Sequence, residues 1–358
     1  MFNVNAHIHT PYSFSAFSSI DEALDHAGKE DVKVVGINDF YSMDGYDAWH
    51  SGCVSRGLYP LFGIEFISVN LEDQAAGLRV NDPGNPGRTY ISGKGLAYPV
   101  TLSGKPLQQL EAVKAESNAQ VEKMCGKLNA WLREQGIPVV LDFEEIRATL
   151  TCGSIRERHL AKALRLALEG YDLTSVIPGL TGDLSPAAME NQLRAKLLKA
   201  GGPAFVPEEP SAFLPMETVQ EIILAAGGIP TYPFLADDAK GRFTDFEGDL
   251  MKAADTLWKR GFRSVEFITT RNTTAVLEQY AGYLEDEGFI VSFGSEHNTP
   301  AMEPVKLHTR DAAELSERLE AINWRGACAI AAHQAGLDSL AAGEDLSISV
   351  ISNEVEQS

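Results

Sequence analysis

The segment NVNAHIHT, residues 3–10, decides the fold of this chain, because it is a short β-strand pattern with two histidines near its end. Successive side chains of a strand point to opposite faces, so His7 and His9 share one face while Val4, Ala6 and Ile8 share the other. The apolar face can pack against helices, and two imidazoles at positions i and i+2 can reach one metal ion. The segment predicts a metal site; surface histidines on an edge strand are the alternative.

Strand and helix patterns alternate through the first 70 residues. A capping box beginning at Ser19 opens a helix that ends near Gly28. Val32–Ile37 is almost continuously apolar, which is typical of a strand buried on both faces. A second helix follows from about Gly45, and Leu58–Ile64 forms the next buried strand. This alternation predicts parallel strands joined by right-handed crossovers.

The alternation is interrupted and then resumes. Asn81–Gly95 is dense in Gly, Pro and Asn, which predicts a long loop, and Leu107–Gln135 has the pattern of one long amphipathic helix. Further helices are predicted over Phe143–Ala148, Ile155–Leu168, Ala187–Leu198, Met216–Ala226, Phe246–Arg260 (with Asp245 as N-cap) and Thr273–Glu287. For 358 residues, one barrel with an insertion fits as well as two domains. The first arrangement has a β/α barrel over residues 1–100 and 215–345, a mainly helical insertion over 101–214 and a tail over 346–358.

Composition and charge limit the classes of function. The formal net charge of the 358 residues is -20 and no Lys/Arg cluster is present, which argues against binding of a nucleic-acid duplex and favours small substrates. The four cysteines are scattered and predict reduced thiols in a cytoplasmic protein. No basic segment followed by an apolar run marks a signal peptide, and no apolar segment approaches the roughly 18 residues that span a membrane.

Several predicted strands end in a residue that can bind metal. After His7 and His9 these are Asp39, Glu65 and the pair Glu296-His297. The carboxyl ends of parallel barrel strands meet at one mouth, so these side chains are expected to lie close together. A mixed set of imidazoles and carboxylates suits Zn²⁺, Mn²⁺ or Fe²⁺ better than Mg²⁺ or Ca²⁺. The alternative is that each carboxylate caps a helix or lies in a solvated loop.

The ordered motifs resemble the PHP (polymerase and histidinol phosphatase) family of metal-dependent phosphoesterases. NAHIHTPYSFS is similar to its opening Asp-x-His-x-His motif, GINDFYSMDG to its Thr-Asp-His segment and LFGIEF to its Gly-x-Glu motif. RERHLAKAL resembles the Arg-Pro-His-Ile-Ala-Arg-Ala-Leu helix of a subgroup that includes amidohydrolase-like members. GPAFVPEE and AAGGIPTYP are similar to that subgroup's approach to an Ala-His-Pro motif, and FGSEHNTP stands where Gly-Ser-Asp-x-His is usual. The resemblance covers about residues 3–300.

The resemblance implies a distorted seven-stranded (β/α)7 TIM-like barrel that binds two or three metal ions and attacks phosphorus with a metal-activated water. Asn5, Phe40 and Tyr232 stand where the family has Asp, His and His, so we expect one or two divalent ions here, Zn, Mn or Fe. Glu65 is the expected bridge between two ions. The metal ligands that the resemblance implies are His7, His9, Asp39, Glu65, His159, Glu296 and His297.

Other residues are candidates for catalysis or substrate binding. His159 lies on an amphipathic helix, where a packing histidine is the alternative to a ligand or proton donor. Arg88 and Lys94 lie in the predicted loop after Glu65, which could cover the barrel mouth as a lid and bind an anion; solvated surface charges are the alternative. The candidate catalytic residues are His159, Asp39, Arg88 and Lys94. The candidate substrate-binding residues are Arg156, Tyr232, Arg271 and Asn298.

The sequence thus predicts a metal-dependent hydrolase of a small phosphorylated metabolite or nucleotide. Two alternatives stay open: non-phosphoester metal chemistry, such as amide hydrolysis or a reaction on a sugar, and a barrel that has lost catalysis and binds a ligand. The identities of the substrate and the metal and the oligomeric state do not follow from the residues.

Overall fold

The computed structural model describes residues 1–171, 177, 179–181, 185–337 and 350–351. Within these residues one sheet runs in the order β1-β2-β3-β4-β6-β7-β8, and a short strand, β5, pairs with β3. The strands are β1 (Asn3–Ile8), β2 (Val32–Phe40), β3 (Tyr59–Val69), β4 (Arg88–Lys94), β5 (Leu214–Pro215), β6 (Ile229–Phe234), β7 (Ser264–Ile268) and β8 (Ile290–Gly294).

The sheet curls until its two ends meet. The backbone N–H of Glu296, just beyond β8, donates to His7 O at 3.0 Å, and the N–H of His9 donates to Glu296 O at 2.7 Å. This approach requires glycine at 294, because a Cβ there would lie 2.2 Å from the Cβ of His7. The predicted fold class is confirmed: the sheet is a nearly closed, distorted barrel of seven strands with helices around it, and His7 and His9 lie at its mouth.

One strand runs against the others. β4 is antiparallel to both of its neighbours, β3 and β6, and the prediction of an irregular loop over Asn81–Gly95 is wrong for its second half. The run Arg-Thr-Tyr-Ile at residues 88–91 has strand propensity, but the glycines and prolines around it conceal that propensity in the sequence. Lys94 therefore lies at the end of a barrel strand, 2% exposed, and not on a lid.

The described helices lie mostly where the sequence predicts them. Ser19 caps α1 by accepting from the N–H of Glu22. The predicted start at Phe246 is wrong, because Asp249 and not Asp245 caps that helix. The helices are α1 (Ile20–Lys29), α2 (Tyr46–Val54), α3 (Leu71–Ala75), α4 (Gly104–Glu134), α5 (Phe143–Leu150), α6 (Glu157–Ala167), α7 (Pro186–Leu193), α8 (Met216–Ala225), α9 (Leu250–Lys259), α10 (Thr274–Asp286) and α11 (Glu317–Gln334).

The long helix α4 belongs to two hydrophobic clusters. Leu110 and Val113 pack into the barrel cluster, whereas Val121 and Leu128 pack into a second cluster with α5, α6 and α7. This arrangement places the helices after α4 beside the barrel mouth. The predicted tail, 346–358, lies outside the described residues except for 350–351. None of the helices in the described part of the chain has the length and apolarity needed to cross a membrane.

Candidate metal centre and the cavity above it

Three buried side chains converge at the barrel mouth. His7 and His9 leave the same face of β1, and their Nε2 atoms lie 3.2 Å apart. Glu65, on β3, places Oε2 at 3.1 Å from His9 Nε2 and 3.8 Å from His7 Nε2. All three residues are at most 3% exposed. These atoms form a group that could hold one metal ion.

Neighbouring carboxylates fix the protons of both imidazoles. His7 Nδ1 lies 2.9 Å from Glu266 Oε2, and since a carboxylate only accepts, His7 donates from Nδ1. Ser13 Oγ donates to Asp39 Oδ1 at 2.6 Å and thus accepts from His9 Nδ1 at 3.1 Å. Each Nε2 is therefore left with a lone pair on the side of Glu65, and the amide Nδ2 of Asn38 also lies 3.2 Å from His7 Nε2. An imidazole oriented in this way by a second group is typical of metal ligands.

The electrostatics of the three residues fit a bound cation. Burial lowers the pKa of His7 to about 3 and lowers that of His9, so both imidazoles stay neutral. Burial, reinforced by the charge of Glu266, raises the pKa of Glu65 to about 8. Glu65 Oε2 is buried and has no hydrogen-bond partner among the described residues, since the nearby imidazole nitrogens do not donate to it.

The spacing of the three atoms can also be compared with that of a metal site. Metal–ligand distances of about 2.0–2.1 Å place tetrahedral ligands about 3.3 Å apart. The observed separations of 3.2, 3.1 and 3.8 Å lie around this value. The residues present therefore fit a divalent metal ion.

Asp39 lies behind His9 and outside this group. Its Oδ1 accepts from the backbone N–H of Thr10 at 2.8 Å and from Ser13, and its Oδ2 accepts from Thr10 Oγ1 at 2.5 Å. Asp39 Oδ1 is 3.9 Å from His9 Nδ1. The structure thus places Asp39 as the acceptor that orients Ser13.

Glu296 and His297 do not join the three ligand atoms either. Glu296 accepts from Arg271 Nη2 at 2.7 and 2.8 Å, at the wall of the cavity described below. His297 has both ring nitrogens engaged, Nδ1 with Ser295 Oγ at 2.7 Å and Nε2 with Glu303 O at 2.8 Å. Its ring also stacks on Phe17.

Two further candidates lie away from the group. His159 Nδ1 accepts from the backbone N–H of Arg156 at 2.9 Å and so caps α6, and the ring meets Phe14 edge-on. Tyr232 donates its hydroxyl to Glu247 at 2.7 Å and is 1% exposed. Neither side chain lines the cavity.

A cavity of about 530 Å³ lies above His7 and Glu65, between the barrel and the helices that follow α4. Its wall is rich in basic side chains, although the chain as a whole is acidic. Asn298 also lines it. The basic residues are Arg88, Arg156, Arg158, Arg194, Lys199 and Arg271.

Most of these basic groups are neutralised by carboxylates. Arg88 pairs with Glu208 at 2.7 Å, and Glu157 pairs with both Arg194 and Lys199. Arg271 pairs with Glu296. In contrast, Arg156 and Arg158 have no carboxylate within 4.0 Å in the described part of the chain. Arg156 donates to Ser117 Oγ at 3.2 Å, and Arg158 donates to Asn191 Oδ1 at 3.1 Å.

Phe40 connects Arg156 to the three ligand atoms. Its ring stacks on His9, with centroids 5.1 Å apart and 21° between the planes. The guanidinium of Arg156 lies 4.7 Å from the centroid of the same ring. A guanidinium over an aromatic face is attracted by the ring quadrupole. The aromatic residue at position 40 thus holds a cation beside the centre.

Sequence analysis missed the residues that support the ligands. Glu266 is a carboxylate within the buried run Ser-Val-Glu-Phe-Ile of β7, and an acidic residue in such a run was the signal for an internal role. Ser13 lies in the loop after β1, where the sequence carries no comparable signal. Lys94 was predicted to lie in a loop over the barrel mouth, whereas it lies inside the barrel.

Comparison with known proteins gives structural neighbours only. No protein-family model matches the chain, and no curated protein matches it in sequence. An amidohydrolase from Chromobacterium violaceum, solved with bound sulfate and no metal, has a TM-score of 0.59 and 18% identity over 89% of this chain and 96% of its own. A protein assigned provisionally as a metal-dependent phosphoesterase, from Bifidobacterium adolescentis, has a TM-score of 0.60 and 16% identity over 86% and 93%. At these identities the likeness shows the shared fold.

Proposed function

We propose that this protein is a metal-dependent hydrolase of a small phosphorylated compound. The observation that carries the proposal is the convergence of His7 Nε2, His9 Nε2 and Glu65 Oε2 below a cavity. Two arginines of that cavity, Arg156 and Arg158, have no carboxylate partner among the described residues. The mixed imidazole and carboxylate ligands favour Zn²⁺, Mn²⁺ or Fe²⁺. When bound, such an ion supplies a Lewis acid and a water of lowered pKa.

The cavity suits a small anionic substrate. Its volume of about 530 Å³ lies within the range of about 300–1,000 Å³ that is common for small-molecule sites. Arg156 and Arg158 can each present a planar guanidinium to a phosphate, since no carboxylate of the described chain competes for them. Duplex nucleic acid is disfavoured as a substrate by the formal charge of -20.

The amidohydrolase and the provisionally assigned phosphoesterase among the neighbours support hydrolysis on this fold without deciding the bond that is cleaved. The basic wall of the cavity favours the phosphoester. The carboxylate of an amide substrate could also pair with the arginines, so carboxylate-bearing amides are included in the test below.

The test is whether the purified protein, loaded with Mn²⁺ or Zn²⁺, hydrolyses a panel of phosphoesters or a panel of carboxylate-bearing amides. We expect phosphate release that EDTA abolishes, that Mn²⁺ restores and that the His7→Ala/His9→Ala variant lacks. His26→Ala, which changes a half-buried histidine of α1, is the control and should retain the activity. Metal binding combined with cleavage of amides alone would replace the phosphoester by an amide. A wild-type protein that binds no metal would refute the proposal.

A further inference from the structure

Lys94 is a buried cation beneath the metal centre. Its Nζ lies 2.7 Å from Glu266 Oε2, 3.0 Å from Ala6 O and 3.1 Å from Asn38 Oδ1. These three acceptors use all three protons of the ammonium group. The side chain is 2% exposed, so the charge is held in place by the barrel and not by solvent.

Glu266 is the buried carboxylate that contacts the candidate ligand His7. Its Oε2 already accepts from both His7 Nδ1 and Lys94 Nζ, and its Oε1 accepts from Ser92 Oγ. The ammonium of Lys94, 2.7 Å away, compensates the charge of this buried carboxylate. Both oxygens are engaged, and the charge is balanced by Lys94.

The charges around the centre match one dication. Two carboxylates near the ligand atoms, those of Glu65 and Asp39, have no Lys or Arg partner within 4.0 Å among the described residues. Glu266 is paired with Lys94 and Glu296 with Arg271. The two uncompensated negative charges balance one dication. A second divalent ion would add two positive charges to this buried site with no further uncompensated carboxylate in the described part of the chain, and burying unpaired charge is costly.

We infer that the centre holds a single metal ion and that the ammonium of Lys94 provides a fixed positive charge in place of a second ion. This inference rests on the proposed function, since it assumes that His7, His9 and Glu65 bind metal. It assigns to Lys94 a positioning role: through Glu266 it orients His7, and by its charge it excludes a second ion.

The test is the number of metal ions per chain. Metal-free wild-type protein is saturated with Mn²⁺, freed of excess ion and examined by native mass spectrometry and elemental analysis. One ion per chain is expected. Two ions would overturn the inference and leave the proposed hydrolase intact, whereas no ion would refute the proposed function as well, so the two failures are distinguishable.

A variant tests the role of Lys94 itself. Lys94→Ala removes the ammonium and frees Glu266, so we expect the count to rise from one ion to two at saturating Mn²⁺. Lys94→Gln, which keeps much of the side-chain length without its charge, should do the same. Lys114→Ala, which breaks an ion pair with Asp44 away from the centre, is the control and should stay at one. A folded Lys94→Ala or Lys94→Gln protein that still binds one ion would overturn the role given to Lys94, and the wild-type count stands even if neither variant folds.

Discussion

Ser13→Ala tests whether the support of His9 sets the affinity for metal. The Ser13 hydroxyl accepts from His9 Nδ1 at 3.1 Å and donates to Asp39 at 2.6 Å. Without the Ser13 hydroxyl, the nearest oxygen of Asp39 is 3.9 Å from His9 Nδ1, which is too far for it to accept a hydrogen bond. The imidazole is then free to carry its proton on Nε2, the nitrogen that faces Glu65. A metal ion that binds at Nε2 must then displace this proton.

The expected loss follows from the behaviour of such supporting groups. Removing a residue that orients a metal ligand typically costs about 10- to 100-fold in metal affinity, which corresponds to about 1.4–2.7 kcal/mol. The fold should survive, because Asp39 keeps two hydrogen bonds from Thr10. The loss of one hydrogen bond to a charged group is expected to lower the free energy of unfolding by about 1.5–3 kcal/mol.

The assay is calorimetric titration of metal-free protein with Mn²⁺, and with Zn²⁺ in competition with a chelator if binding is tight. Ser15→Ala is the matched control: it lies in the same loop, and its hydroxyl accepts from the N–H of Phe17 and not from an imidazole. Its metal affinity should equal that of the wild type. If folded Ser13→Ala binds Mn²⁺ within twofold of the wild-type affinity, the tautomer argument is wrong.

Three further predictions concern the charges of the site. Glu65→Gln keeps the size of the side chain but removes its negative charge, and elemental analysis should find less than a tenth of the wild-type metal. Burial raises the pKa of metal-free Glu65 to about 8, so this carboxyl is protonated below that pH and a metal ion must displace the proton. The Mn²⁺ affinity should therefore rise about tenfold per pH unit up to about pH 8 and then level off. An affinity that does not change from pH 6 to 8 would contradict this prediction. Arg156→Ala should weaken binding of inorganic phosphate to the metal-loaded protein by about tenfold or more. Phe40→Leu should weaken it by less, about two- to fivefold, in line with a loss of about 0.5–1 kcal/mol for a cation–π contact. The metal count should stay unchanged in both variants, and an unchanged phosphate affinity in Arg156→Ala would exclude Arg156 from the anion site.

The sequence predicted the parts of the centre that depend on strand periodicity. The i, i+2 spacing of His7 and His9 and the end of an apolar run at Glu65 are local patterns, and parallel strands bring their carboxyl ends together whatever the loops contain. The nearly closed barrel followed from the same alternation. These features needed no knowledge of which side chains meet across the sheet.

The supporting residues could not be predicted because they depend on pairing between distant strands. Lys94 meets Glu266 only because β4 runs antiparallel between β3 and β6, and β7 then follows β6. Strand-end position alone also does not predict which of these side chains converge. Asp39 and His297 lie near the mouth, where Asp39 accepts from Thr10 and Ser13, and His297 bonds to Ser295 and Glu303.

Two residues that differ from the PHP motifs that this sequence resembles, Tyr232 and Phe40, make different kinds of contact. Tyr232 is directed to Glu247 and contributes nothing to the cavity. Phe40 cannot bind metal, yet it stacks on His9 and holds the guanidinium of Arg156 beside the centre. Phenylalanine at position 40 therefore places the cation of Arg156 beside the centre, and Lys94 is a buried cation below it. The convergence of His7 Nε2, His9 Nε2 and the buried Glu65 Oε2 on one point argues against a barrel that has lost its metal site. These contacts agree with the proposed centre of one metal ion flanked by fixed basic side chains.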